Sequence, residues 1–200
     1  MPLSGNKQAA LPRPAASFNE SLTPVFVPSV PVFMRYRLYQ PGDFATLYAV
    51  EELCFEPAFR FSRTYMQQLI ESPNAATWIA EDGAELKIEL IGFSIVEWTV
   101  EKGESAAYIQ TLEVHPAFRG QGIGAELLGR AEDSARAAGA VSIALHVDVE
   151  NAAAIHLYEN RGYARRGREE HYYARHRAAF IYTKPFSEAP KAARTQIRVK

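Results

Sequence analysis

Cysteine is nearly absent. Cys54 is the only one in 200 residues, which excludes an internal disulfide, and no Cys/His cluster has the spacing of a zinc site. Long apolar runs are missing too. None reaches the length that crosses a bilayer, and none near the N-terminus resembles the apolar block of a signal peptide, so a cytoplasmic setting is expected. Neither sign of charge is in excess. The 22 Lys and Arg against 23 Asp and Glu leave a net charge of −1, which points to no nucleic-acid partner and no acidic membrane surface. There is no internal repeat, and no Gly-Lys-Ser/Thr tripeptide, which rules out a P-loop. What remains is 48% hydrophobic and 22% charged. That is the composition of a soluble globular chain with a core, in the size range of one domain.

The ends differ from the middle. Residues 1–31 are scattered with Pro, Ser and Ala and read as a loosely packed tail, because proline blocks regular pairing. Residues 187–200, small, polar and mildly basic, read as a flexible tail. Between them, residues 32–186 read as one mixed α/β domain. Strands are expected at 32–40, 76–82, 90–100, 106–114 and 141–149, where aromatic and β-branched residues cluster. The run at 141–149 is nearly continuous in apolar residues, as in a buried parallel strand. A hairpin turn is expected at 101–104, and a last hairpin from 163–168 and 179–185. Helices are expected at 42–55 with Asp43 as N-cap, at 62–72 before Pro73, from Gly122 to Ala138 with Gly139 as stop, and at 151–162 behind Asn151. In the third, Ile123, Leu127, Leu128, Ala131 and Ala135 share one face.

The stretch RGQGIG, residues 119–124, places three glycines at a helix start. Glycine disfavours helix, so the cluster needs another reason. A helix start presents unpaired N–H groups and the positive end of the helix dipole. Gly120, Gly122 and Gly124 would let that backbone approach an anion such as a phosphate without interference from a Cβ. A tight chain reversal would also use glycines here. A dinucleotide fold fits the pattern G-x-G-x-x-G/A, but it runs a strand straight into the first glycine. Here HPAFR intervenes at 115–119, behind a meander of strands.

Coenzyme A is the third candidate, and here the chain resembles a known family, the GCN5-related (GNAT) N-acetyltransferases. Their signature, Arg/Gln-x-x-Gly-x-Gly/Ala, is met by Arg119, Gly122 and Gly124. A second segment, Asn-x-x-Ala-x-x-x-Tyr, is met by Asn151, Ala154 and Tyr158. The resemblance implies the GNAT fold: a mixed central sheet with splayed parallel strands and flanking helices. It implies an acetyl-CoA-dependent N-acetyltransferase with no metal. The loop Arg119, Gly120, Gln121, Gly122, Ile123 and Gly124 would hold the pyrophosphate. Backbone at Leu112, Glu113 and Val114 would pair with pantetheine and polarise the thioester carbonyl. Asn151 would contact the pantetheine arm, and Tyr158 would act as the acid at the leaving thiolate.

Within the family, these segments are similar to the bacterial ribosomal-protein-alanine acetyltransferases of the RimI type. Those carry a glutamate five residues before the conserved Asn, where this chain has His146. The same position is a histidine in the eukaryotic N-alpha-acetyltransferases of the NatE and NatF type, which pair it with a tyrosine at the start of the motif strand. Tyr108 matches that tyrosine. Tyr108 and His146 are therefore expected to deprotonate the acceptor, with Glu113 as reserve base. The Tyr172–Tyr173 pair corresponds to residues that grip a peptide backbone, and Phe55 and Pro57 to the wall of a first-residue pocket. The expected acceptor is a protein or peptide N-terminus. An α-amine of pKa about 7.7–8.0 is far more often neutral at pH 7 than lysine at about 10.4. A small-molecule amine and a non-catalytic CoA sensor are the alternatives. His115, His156, His171 and His176 show no metal spacing.

Overall fold

The computed structural model describes residues 34–186, apart from residues 58, 84–88, 102–103 and 175–176. The two expected tails, the centre of the 101–104 turn and His176 lie outside the described residues. Seven strands form one sheet in the order β1-β2-β3-β4-β5-β7-β6. They are β1 (Met34–Leu38), β2 (Ala75–Asp82), β3 (Glu89–Glu101), β4 (Glu104–Val114), β5 (Ala140–Asp148), β6 (Ala164–Ala174) and β7 (Arg177–Pro185). Four helices flank it: α1 (Phe44–Cys54), α2 (Arg63–Glu71), α3 (Ile123–Ala137) and α4 (Ala152–Asn160).

The sheet is covered on both faces because its strands alternate. Ile79 packs into the cluster of α1 and α2 with Leu47, Val50, Met66, Leu69, Phe93 and Ile95. Its neighbour Ala80 joins Ile123 and Leu127 of α3. Successive strand residues point to opposite faces, so one β-strand serves two layers. The face predicted for α3 is the one buried, with Ile123, Leu127, Leu128, Ala131 and Ala135 all closed off from solvent.

Two expectations are corrected, Asp43 as a cap and the length of the last hairpin, while β5 is parallel on one side as expected. Asp43 stands at the N-cap of α1 without capping it. Its carboxylate takes Arg37 at 2.6 and 2.7 Å and the N–H of Gln40 at 2.7 Å instead. A bidentate guanidinium outcompetes a lone amide and holds the Asp43 carboxyl below its ordinary range. Strand β5 is parallel only to β4, over Ala140–Ala144, and runs antiparallel to β7 from Ser142 to Asp148. The last hairpin is longer than expected, because β6 continues to Ala174.

Two irregularities lie where the sheet opens. The β4–β5 pairing ends at Tyr108↔Ala144. Opposite β3, the register passes from Thr111 to Ile109 and leaves Gln110 as an extra residue. A bulge sharpens local twist, and here it coincides with the point where β4 parts from β5. In β6 the pairing to β7 jumps from Glu169↔Ala179 to Ala174↔Arg177. The intervening loop carries His171 at φ 62°, a left-handed conformation that side chains rarely adopt.

Candidate active site

Between the parted ends of β4 and β5 lies a cavity of about 1090 Å³. Its walls come from the loop 119–124, the end of β4, the start of α4, the segment after α1, and the β6 bulge.

The loop end is built from backbone. Gly120 and Gly122 have φ of 77° and 82°, and a Cβ at either would meet nothing within 4 Å. The left-handed turn explains both glycines, and the open space above them is the cavity. Gly124 differs. It sits inside α3 with Leu112 and Leu157 side chains 3.5 Å from where its Cβ would be, an ordinary contact distance, so neither φ nor close packing demands glycine there. Ile123 is buried but reaches the lining, whereas Gln121 is exposed and outside it. Arg119 turns its side chain back: its Nε donates to the Val114 carbonyl at 3.0 Å, and its guanidinium lies 3.6 Å from Cys54 Sγ. It thus latches the loop to β4 and α1. The Asn151 side-chain oxygen accepts the Ala154 N–H at 3.1 Å as N-cap of α4. That leaves the Asn151 amide NH2 uncommitted by the cap. Beyond Tyr108, β4 has no ladder to β5, so its inward backbone groups, apart from the Val114 carbonyl that Arg119 and Cys54 take, face the cavity as an open strand edge would. Open cradle, free strand edge and volume together fit a CoA thioester.

The opposite end is built from side chains. The Tyr108 hydroxyl lies 2.7 Å from His146 Nδ1 and 3.1 Å from the Tyr172 hydroxyl. The Tyr172 ring stacks on the imidazole at 4.2 Å and 3°. Tyr173 stands edge-on to Tyr172 and donates to the His146 carbonyl at 3.4 Å. Burial, then the bond to Tyr172, raises the Tyr108 hydroxyl above the ordinary phenol range. It is therefore a neutral phenol rather than a standing phenolate. His146 Nε2 faces Glu169 Oε2 at 3.1 Å.

Tyr158 lines the cavity while only 6% exposed, packed among Tyr163 and Tyr182. Burial alone raises its hydroxyl, so it stays protonated and can donate. Glu113 is 3% exposed. Its Oε1 accepts the Thr111 hydroxyl at 2.6 Å, while its Oε2 and that of buried Glu51 lack a charged or N–H partner. Burial, then the adjoining Glu51 carboxyl, pushes Glu113 well above the carboxylate range. Burial, then Glu113, pushes the Cys54 thiol up to about 11, which leaves it neutral.

Of the residues expected to wall an acceptor pocket, three line the cavity and one does not. Phe55, Tyr172 and Tyr173 line it. Pro57 is exposed and outside the lining. Phe59 takes its place, edge-on to Tyr173 at 6.5 Å, with Arg177 over its ring at 4.8 Å. A proline two residues before that aromatic marks the turn, not the wall. Glu51, Phe59, Glu169 and Arg177 were missed from sequence. Only Glu51 carried a local signal: it falls on the apolar face of its helix, four residues after Leu47, whereas the adjacent Glu52 does not. Among the described residues, no group of His, Cys, Asp or Glu could hold a metal ion. No helix of the described residues is long and apolar enough to cross a membrane.

Comparison with known proteins agrees with this geometry. The family model described as "Acetyltransferase (GNAT) family" matches residues 44–163. N-alpha-acetyltransferase 30 of Schizosaccharomyces pombe is 36% identical over 93 residues, covering 46% of this chain and 62% of that protein. Streptothricin acetyltransferase of Streptomyces lavendulae is 40% identical over 76 residues, covering 38% of this chain and 39% of the relative. The chain therefore spans less than two thirds of the length of either curated relative. In fold, the ribosomal-protein-S18-alanine N-acetyltransferase from Escherichia coli superposes with a TM-score of 0.68 at 22% identity, over 80% of this chain and 97% of that one.

Proposed function

The chain belongs to the GNAT acetyltransferase family, and from that premise we propose that it moves an acetyl group from acetyl-CoA to the N-terminal α-amine of a protein or peptide. The observation that carries the reading is the 2.7 Å contact between Tyr108 and His146 at the far end of a cleft whose near end is a glycine cradle.

Acetyl-CoA supplies an activated acetyl thioester, and the chain's own groups do the rest. Amides of the 119–124 loop and the α3 start hold the pyrophosphate. The free edge of β4 at Leu112–Val114 aligns the pantetheine arm and polarises the thioester carbonyl. The Asn151 amide meets the same arm while its oxygen caps α4. Tyr108 takes a proton from the acceptor amine through an intervening water as it passes its own to His146 Nδ1. The neutral amine then bonds to the carbonyl carbon, the C–S bond breaks as Tyr158 donates a proton to the departing sulfur, and the extra proton on the new amide nitrogen leaves through water and restores the Tyr158 hydroxyl. The pKa of Glu113, raised by burial and by Glu51, argues against it as the base. The neutral Cys54 thiol supports direct transfer over an acetyl-cysteine intermediate.

Tyr172, Tyr173, Phe55 and Phe59 form a wall suited to an extended chain rather than a compact ligand. The likeness to a streptothricin acetyltransferase supports a second reading, acetylation of a small amine. A thiol-release assay separates them. Short peptides with free or blocked N-termini, each with an internal lysine, are compared with spermidine. Acetylation is expected to require the free α-amine and to weaken in Tyr172→Ala and Tyr173→Ala. Equal rates on blocked peptides, or preference for spermidine, would reject the N-terminal acceptor. No turnover on any amine with intact acetyl-CoA binding would favour a sensor.

A further inference from the structure

His146 is held at both ring nitrogens. Nδ1 lies 2.7 Å from the Tyr108 hydroxyl, and Nε2 lies 3.1 Å from Glu169 Oε2. A neutral imidazole carries one N–H, and the hydrogen bond at the other nitrogen decides which. An ionised carboxylate can only accept. With the proton on Nδ1, the Nε2 lone pair would face the carboxylate. With the proton on Nε2, that nitrogen donates to Glu169, and Nδ1 becomes an acceptor to which Tyr108 must donate. We propose that Glu169 is the positioning residue of this site: it fixes His146 as the Nε2–H tautomer and thereby orders the chain of protons from acceptor amine to Tyr108 to His146.

The sheet makes the contact possible. β7 lies between β5 and β6. His146 pairs with Ile181, and Asp148 with Ala179, which in turn pairs with Glu169. These residues share one face, and Ala179 is the small residue over which His146 and Glu169 reach each other. Glu169 is also the last β6 residue paired before the bulge, so its backbone is anchored while the next residues swing Tyr172 onto the imidazole. Neighbouring charges are otherwise engaged: Arg168 is bound by Glu170 at 2.7 Å, and Arg177 by Asp148. The Glu169 side chain is 53% exposed, so water screens its charge, and its effect is orientation rather than a large field.

The inference rests on the catalytic reading of the Tyr108–His146 pair. The proton leaving the amine goes to the Tyr108 oxygen as the Tyr108 proton goes to Nδ1. The imidazolium keeps both its protons, with Nε2–H bonded to Glu169, and Glu169 itself is not protonated.

The test is two-bond ¹H–¹⁵N spectroscopy on the full chain labelled at histidine, with the His146 signal assigned by its loss in His146→Asn. The Nε2–H pattern is expected for the wild type. It should become mixed in Glu169→Ala and persist in Glu169→Gln, whose amide oxygen still accepts. Turnover in Glu169→Ala should fall roughly tenfold with acetyl-CoA affinity kept, less than the 10²-fold or more of losing a general base outright, and Glu169→Gln should restore most of it. An Nδ1–H wild type, an unchanged tautomer in Glu169→Ala, or equal loss in Gln and Ala would overturn the proposal. Full activity in His146→Ala would instead sink the catalytic reading, while the tautomer measurement still decides what Glu169 does to the ring.

Discussion

The cleft has two ends built by different means. At the loop end, the groups that face the cavity are backbone, shaped by left-handed glycines within a few residues of one another. At the tyrosine end, they are side chains drawn from β4, β5, β6 and the segment after α1. Backbone amides are the same whatever the sequence, so the first end tolerates change everywhere except where the backbone itself needs glycine. The second end has no such freedom, because each contact is a particular atom on a particular side chain. Substitutions at the two ends should therefore fail in different ways.

The largest effect is expected at the loop. Gly122→Glu would force a side chain into φ 82°, fill the open space above the helix start, and set a negative charge against a pyrophosphate. Calorimetry should find acetyl-CoA binding abolished, while circular dichroism shows a folded chain. Unchanged affinity would mean that the cradle serves something else.

At the other end, turnover should fall and binding survive. His146→Ala and Tyr108→Phe are each expected to lower kcat by about 10²-fold or more, as for loss of a general base, with acetyl-CoA affinity near wild type. If both variants keep wild-type turnover, the pair is structural and the comparison between the ends collapses. A matching loss of acetyl-CoA affinity would show that the ends are not separable.

The smallest effect concerns the floor between them. Glu113 has a folded-state pKa raised by burial and by Glu51. Such a group contributes stability that is fully present below its unfolded value, about 4.3, and lost as pH rises through the raised folded value. Glu113→Gln removes the titration and keeps the shape. Thermal melts should show the wild type losing ground to the variant as pH rises from 4 to 8. Parallel curves would mean that Glu113 is ionised in the fold.

Much of this protein was legible locally. The sequence by itself determined where most helices and strands fall, which face of α3 is buried, and that residues 119–124 form a glycine loop into a helix. Those features depend on φ/ψ preference, caps and periodicity within a few residues. By resemblance it also named Tyr108, His146, Tyr158, Tyr172 and Tyr173, all of which line the cavity. Local reading stopped where partners are distant. Asp43 has the residue type and position of an N-cap, yet Arg37 takes its carboxylate. Pro57 sits in the right segment, yet Phe59 faces Tyr173. Gly124 continues the glycine pattern, yet it lies inside α3, where a Cβ would meet Leu112 and Leu157 only at ordinary contact distance. Only the tertiary structure decided that Glu169 backs His146, that Glu51 and Glu113 share a buried site, and that β4 parts from β5 at Tyr108. Each of these depends on strand order and register: β7 inserted between β5 and β6, and one extra residue at Gln110. Such contacts join residues tens of positions apart, and no short-range preference of the chain encodes which side chains will meet there.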